Sequence, residues 1–193
     1  MRVEPFHSII HLIADRRIKG ATRVIVAIDG AGGAGKSTVA KWIRDELKDV
    51  SIVEMDDFYR VADASFRRSW NAEEGYQNFF DWTRLRDDVL KPIQDGISPE
   101  FQPYDWTRNQ LNGWKQVPLT PVIIVEGVYA LRPELRPLYN LSVFIEAPLE
   151  VRTARLRTRT DSEQDIQMWQ AAENWYLANI KPQDNCDLVV SGY

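Results

Sequence analysis

One cysteine in 193 residues, Cys186, leaves no internal disulfide and no CxxC pair for a structural zinc site. The only histidines, His7 and His11, lie close together near the N-terminus, so a His/Cys metal cluster is excluded too. No apolar run approaches the roughly 18 residues that a membrane-spanning helix needs. Phe6, Ile9, Ile10 and Ile13 share a helical face, but His7, His11 and Asp15 interrupt it, which argues against a signal peptide. A net charge of -4 offers no general attraction to nucleic acid or to an anionic membrane. Repeats, low-complexity tracts and linkers are also missing. These absences point to a soluble protein of the reducing cytoplasm that acts on a small molecule, with a homo-oligomer admissible. The hydrophobic share of 44% and charged share of 27% are ordinary for a globular chain, and the length suits one domain over 1–193.

Strand and helix signals alternate along the chain. A first helix is expected over about 5–19, with Pro5 at its start and Gly20 as its stop. Val24 to Ile28 is a short, wholly apolar run, the mark of a strand buried on both faces. Beyond a glycine-rich stretch, Val39, Ile43 and Leu47 recur at helical spacing. Further strands are expected at Ser51 to Met55, Val122 to Val125, Leu141 to Ile145 and Leu188 to Val190, with helical patterns between the last three. A helix capped by Asp81 carries Leu85, Val89 and Ile93 on one face, is kinked or ended by Pro92, and leaves at Gly96. Residues 97–121 read as loop or short hairpin. The alternation predicts an α/β fold of three layers, a mainly parallel five-stranded sheet flanked by helices.

Between the first strand and its helix stands Gly30-Ala31-Gly32-Gly33-Ala34-Gly35-Lys36-Ser37, which satisfies G-x-x-x-x-G-K-[ST]. Glycines let successive backbone N–H groups turn inward around phosphate oxygens at a helix N-terminus. In such a P-loop the residues from Gly30 through Gly32, Gly33, Ala34 and Gly35 to Thr38 hold nucleotide. Lys36 reaches the β- and γ-phosphates, and the Ser37 hydroxyl completes Mg²⁺ coordination.

Carboxylates decide what becomes of the γ-phosphate. Val122-Ile123-Ile124-Val125-Glu126-Gly127 is an apolar strand ending in an acid, the form of a Walker B element that holds magnesium. Asp56 and Asp57 follow the second strand on the same edge of the sheet, where ligands of open α/β sheets bind. One of them can orient an acceptor hydroxyl, take its proton and touch the metal shell; adjacent side chains diverge, so spacing alone selects neither. Farther on, Arg152, Arg155, Arg157 and Arg159 concentrate charge on a segment, about 148–162, suited to a basic lid that closes over the triphosphate. Arg152 and Arg155, at i and i+3, share a helix face and are the candidate catalytic pair.

The glycine loop, Asp56-Asp57-Phe58-Tyr59 and Glu126-Gly127 together resemble the uridine kinase (uridine-cytidine kinase) family over most of the chain. The resemblance implies an ATP- and Mg²⁺-dependent kinase with Asp56 as base and Tyr59 lining a nucleoside site. It also places a substrate-side region at about 57–120. Asn78-Phe79-Phe80-Asp81 is similar to the family's ribose-binding segment, so Asp81 has two readings, ribose ligand and helix cap. Pro103-Tyr104-Asp105-Trp106 resembles the family's Pro-x-Tyr-Asp-Phe element, implying that Tyr104 packs by the base, although one intervening residue is missing. The family's base-contacting histidine has no counterpart. Trp70, Phe80, Trp82, Trp106 and Trp114 make the middle of the chain aromatic, for core packing in most cases. A non-nucleoside alcohol such as pantothenate, glycerate or a sugar is the runner-up acceptor. A regulatory ATPase comes third; no Asn-Lys-x-Asp or Leu-Ser-Gly-Gly-Gln element supports a GTPase or a transporter ATPase.

Overall fold

A computed structural model of the chain describes residues 6–158 and 162–192. Strands β1 (Val24–Asp29), β2 (Val50–Glu54), β3 (Val122–Glu126), β4 (Leu141–Glu146) and β5 (Leu188–Ser191) form one sheet in the order β2-β3-β1-β4-β5. Every neighbouring pair is parallel, with Val24 opposite Val122, Val50 opposite Val122, Val26 opposite Leu141 and Val143 opposite Leu188. β1 and β3 are buried at every position. That two-sided burial is why both read as unbroken apolar runs.

Helices cover both faces. Ile9 and Ile13 of α1 (His7–Ile18) and Val39 and Ile43 of α2 (Lys36–Leu47) pack with Val24, Val26 and Ile28. On the other face Ile25, Ile123 and Val125 meet α4 (Ala72–Asn78), α5 (residues 82–94) and α7 (Glu163–Asn179) through Tyr76, Leu85, Val89, Ala172 and Tyr176. Two further helices are α3 (Ala64–Ser69), with no buried residue, and α6 (Leu149–Arg157), which buries Arg152 and Leu156. The three-layer α/β architecture with its five parallel strands agrees with the sequence reading. No helix among the described residues is long and apolar enough to cross a membrane.

The differences are local. The first helix is shorter than expected, ending before Lys19 and a positive-φ Gly20; Pro5 lies outside the described residues. β2 stops at Glu54, so Asp56 sits in a 3-10 turn, Met55–Phe58, and not at a strand end. Pro92 does not end α5. That helix runs on as Trp82–Arg84, Leu85–Leu90 and Lys91–Gln94, with its middle segment wound as π-helix. The wide turn lies just before Pro92, whose ring cannot share space with the carbonyl four residues earlier. Between β3 and β4 the expected helix reduces to a 3-10 turn, Arg136–Leu138, because Pro133 and Pro137 interrupt the segment. Residues 97–121 hold two antiparallel pairs, Glu100–Phe101 with Lys115–Gln116 and Tyr104–Asp105 with Gln110–Leu111. Helices α3 and α4 were not foreseen. Their caps carry the missed signal, Asp63 on the Ser65 N–H and a reciprocal Asn71/Glu74 capping box.

At the C-terminal end of β1, Asp29 is completely buried. Its carboxylate accepts hydrogen bonds from the N–H of Gly30 (2.6 Å), Tyr129 (3.1 Å) and Leu131 (2.8 Å) and from the Tyr176 hydroxyl (2.7 Å). Burial pushes its pKa up, while the bonds from Tyr176, Leu131 and Gly30 and the Lys36 charge pull the other way. Asp29→Ala would strand four buried donors and should lower unfolding free energy by about 3 kcal/mol or more. Tyr176→Phe should cost about 1 kcal/mol. Urea denaturation of both variants checks the order; equal losses would mean that the carboxylate is not the organising group.

Candidate active site

The glycine motif forms the turn from β1 to α2. α2 begins at Lys36, and its N-cap, Gly35, supplies no side-chain bond to the first-turn amides. Those amides are therefore open to an anion. Gly33 has φ +77°, and a Cβ there would lie 2.5 Å from the Arg152 carbonyl oxygen. Glycine is required on both counts, by the left-handed backbone and by the approach of α6. Gly32, Gly33, Gly35, Lys36, Ser37 and Thr38 line a cavity of about 290 Å³. Gly30 and Ala34 belong to the underside of the loop, since the Gly30 N–H is spent on Asp29 and the Ala34 N–H on the Ala31 carbonyl at 3.0 Å.

Ser37 Oγ donates to Glu126 Oε1 at 2.7 Å, bringing together two of the three expected metal ligands, the third being Asp56. Glu126 is almost fully buried, so its pKa is raised; the nearby Lys36 charge and the Ser37 bond oppose the rise. Gly127, at φ +147°, lets Met55 close against the end of β3, where a Cβ would collide with the Met55 side chain. Two residues on, Tyr129 holds φ +68°, an unusual conformation for a bulky residue, and aims its N–H at Asp29. Lys36 is buried and donates to the Ala31 carbonyl at 3.0 Å.

The paired aspartates separate. Asp56 lines the cavity, whereas Asp57 lies outside it and is held by Lys115 Nζ at 2.7 Å. Beyond Asp56 the cavity wall is aromatic, formed by Tyr59, Phe79, Phe80, Trp106, Tyr129 and Trp169. The Tyr59 ring stacks on Trp106 at 4.6 Å, and its hydroxyl accepts from Trp169 Nε1 at 3.0 Å. Burial raises the Tyr59 pKa to about 12, so the phenol keeps its proton. Tyr104 stands one layer behind, edge-on to Tyr59 and Trp106, and donates its hydroxyl proton to Asn109 Oδ1 at 2.7 Å. Asp81 is also outside the lining: its carboxylate accepts from Thr83 Oγ1 (2.6 Å) and the Arg84 N–H (3.2 Å), which is the helix-cap geometry. Of the other aromatics, Trp70 packs on Phe66 and Phe79, Trp82 lies against Arg86 and Arg132, and Trp114 is exposed.

Neither predicted arginine lines the cavity. Arg152 is buried, with Nε on the Ala147 carbonyl (3.1 Å) and Nη1 3.5 Å from Glu173 Oε2. Arg155 Nη1 grips the carbonyls of Gly33 (3.0 Å), Ala34 (3.4 Å) and Gly192 (2.9 Å), fastening the outside of the loop. Arg157 pairs with Glu163 at the surface, and Arg159 lies outside the described residues, as do positions 160 and 161 of the expected lid. Sequence reasoning missed Trp169, Tyr129 and Glu173. Glu173 lies four residues after Trp169 and three before Tyr176, so a helical net puts this acid on the face turned toward the core.

A strand, a phosphate-type glycine loop and a strand-end acid bonded to the loop serine are therefore joined in one cavity. The Phosphoribulokinase / Uridine kinase family model matches residues 25–191. The chain belongs to that family of P-loop kinases. A uridine kinase from Shewanella denitrificans is 31% identical over 173 residues, covering 82% of this chain and 78% of the relative. One from Halobacterium salinarum is 29% identical over 161 residues, covering 81% and 71%. A solved structure described as a possible uridine kinase from Bacillus stearothermophilus superposes with TM-score 0.69 at 23% identity, covering 95% of this chain and 99% of its own. That last likeness establishes the fold.

The separation of the aspartates is open to measurement. Asp57→Asn and Lys115→Met should each lower unfolding free energy by about 0.5–1 kcal/mol, since the pair is partly exposed, and should leave nucleotide affinity unchanged. Urea titration and nucleotide binding by fluorescence check both; a loss of nucleotide affinity in either variant would move Asp57 into the site.

Proposed function

We propose that this family member is an ATP-dependent kinase that transfers the γ-phosphate to a hydroxyl of a nucleoside resembling uridine or cytidine. The observation that carries the reading is the make-up of one cavity: a phosphate loop and the Ser37–Glu126 pair on one wall, Asp56 and stacked aromatic rings on the other. Its size suits a small ligand. The uridine kinase relatives support the nucleoside, and the aromatic wall suits a flat base.

The residues fit magnesium, because a hydroxyl and a buried carboxylate form an all-oxygen donor set that a hard cation prefers. Ser37 and Glu126 would hold it, with Asp56 at the edge of its shell. The ion's contribution is to neutralise charge developing on the transferring phosphoryl oxygens. The loop amides and Lys36 bind and orient the phosphates. Asp56 accepts the proton of the acceptor hydroxyl as the new O–P bond forms. Tyr59 and Trp106 shelter the acceptor from water, and Tyr104 supports them from behind. Under this reading Arg155 fixes the loop, and Arg152 reaches phosphate only on moving inward with α6. Asp81 remains a cap. The region 57–120 is the acceptor side of a single domain, and 148–162 its lid.

A second reading, a kinase of a non-nucleoside alcohol, is favoured by one observation. The histidines stand on α1, where His7 packs on Trp42, so no histidine reaches the acceptor wall among the described residues.

Purified protein with ATP and magnesium should release ADP only when an acceptor is added, and mass detection should find a nucleoside monophosphate from uridine or cytidine. Turnover only with glycerate, pantothenate or a sugar would discard the nucleoside and keep the kinase. Acceptor-independent hydrolysis across the panel would favour a regulatory ATPase. Lys36→Ala should abolish transfer. Asp56→Asn should reduce it by about 10²–10⁴-fold while sparing ATP binding; near-full turnover in that variant would remove Asp56 as the base.

A further inference from the structure

Glu173 enters the cavity wall from α7 and is only 4% exposed. Its Oε1 accepts the Gly32 N–H at 3.1 Å. Its Oε2 lies 3.5 Å from Arg152 Nη1, and neither of those two atoms makes a hydrogen bond among the described residues. Burial pushes its pKa up, and Lys36 provides the strongest opposing influence. A carboxylate this deep would be expected to have both oxygens bonded. Instead it is anchored by one oxygen and faces charge with the other.

The identity of those neighbours matters. A loop amide, the loop lysine and an arginine from a lid segment are the kinds of donor that a terminal phosphate takes in phosphoryl-transfer sites. Here one amide is bonded to the Glu173 carboxylate, and the lysine and the arginine both lie within its electrostatic reach. Two anions close together compete for shared donors and repel each other. A diphosphate lacks the group that would meet Glu173, so it escapes the penalty. Gly32 fits the same account, because a Cβ there would lie 2.9 Å from Glu173 Oε1 and push the acid off its anchor.

We infer that Glu173 is an internal anion set against the terminal phosphate, so that it governs how strongly the loop prefers a triphosphate to a diphosphate. The inference rests on the reading of the loop as a nucleotide site, and not on which alcohol is the acceptor. Glu173 is thus a specificity-determining residue for the donor. Its carboxylate must yield the Gly32 amide or turn toward Arg152 when the longer phosphate chain enters.

The test is a binding measurement that needs no turnover. Titration calorimetry compares ADP with the β,γ-imido analogue of ATP, both with magnesium, on the wild type, Glu173→Gln and Glu173→Ala. The glutamine variant keeps the shape and removes the charge. Its preference for the imido analogue over ADP should rise about tenfold, with ADP affinity altered less than about twofold; the alanine variant should move the same way. An equal change in both affinities would make Glu173 only a strut of the loop and overturn the inference. Weaker binding of the imido analogue alone would overturn it too, by making the acid a holder of Arg152 for the phosphate. Absence of binding of either nucleotide to the wild type would instead remove the nucleotide reading itself.

Discussion

The organising constraint of this molecule is a carboxyl group that cannot reach water. Asp29 ends the central strand inside the protein, and a carboxylate in that position must collect donors or unfold its surroundings. It collects four, from the first residue of the glycine loop, from two residues after β3 and from α7. Those are the segments that carry the phosphate cradle, the strand-end acid and the acid opposite it. The arrangement of the cavity thus follows from satisfying one buried group. Tyr129 shows the cost, holding a left-handed backbone so that its amide can reach the acid.

A second consequence is electrostatic. Asp29, Glu126 and Glu173 are all removed from solvent and burial raises the pKa of each, while in each case the buried Lys36 is among the influences that pull it back down. Lys36 thus stands among three buried acids, and Glu173 faces Arg152 as well. Arg155 adds to the loop's rigidity from outside through three carbonyls.

The parts readable from the sequence are those whose signal is local. Strands buried on both faces spell themselves out as Val-Ile runs, and a glycine loop must carry glycine where its backbone is left-handed or closely approached, as Gly33 is by Arg152. Glu126 was legible because an acid ending such a run is conspicuous. Asp56 and Asp57 could not be told apart by spacing, since what divides them is Lys115, some sixty residues away. Asp81 carried two meanings in the sequence, and the described bonds are those of a cap. Arg152 and Arg155 were legible as a cluster, but their contacts with Glu173 and the loop carbonyls depend on how α6 packs. Glu173 was hidden for the same reason, as an ordinary acid in a helix until the fold turned it toward Gly32.

The sheet order carries a consequence for how the chain is made. β1 lies at the centre, yet both its partners, β3 and β4, follow about a hundred residues later. On a ribosome, Val24 to Ile28 emerges well before its partners and then waits with its backbone unpaired until β3 and β4 arrive. Neither α1 nor α2 can shield it fully, because both pack on the same face. The nascent chain is thus most exposed to sticking and misassembly during synthesis of the segment between β2 and β3, and a longer insertion there would lengthen the wait without touching a single contact of the finished sheet.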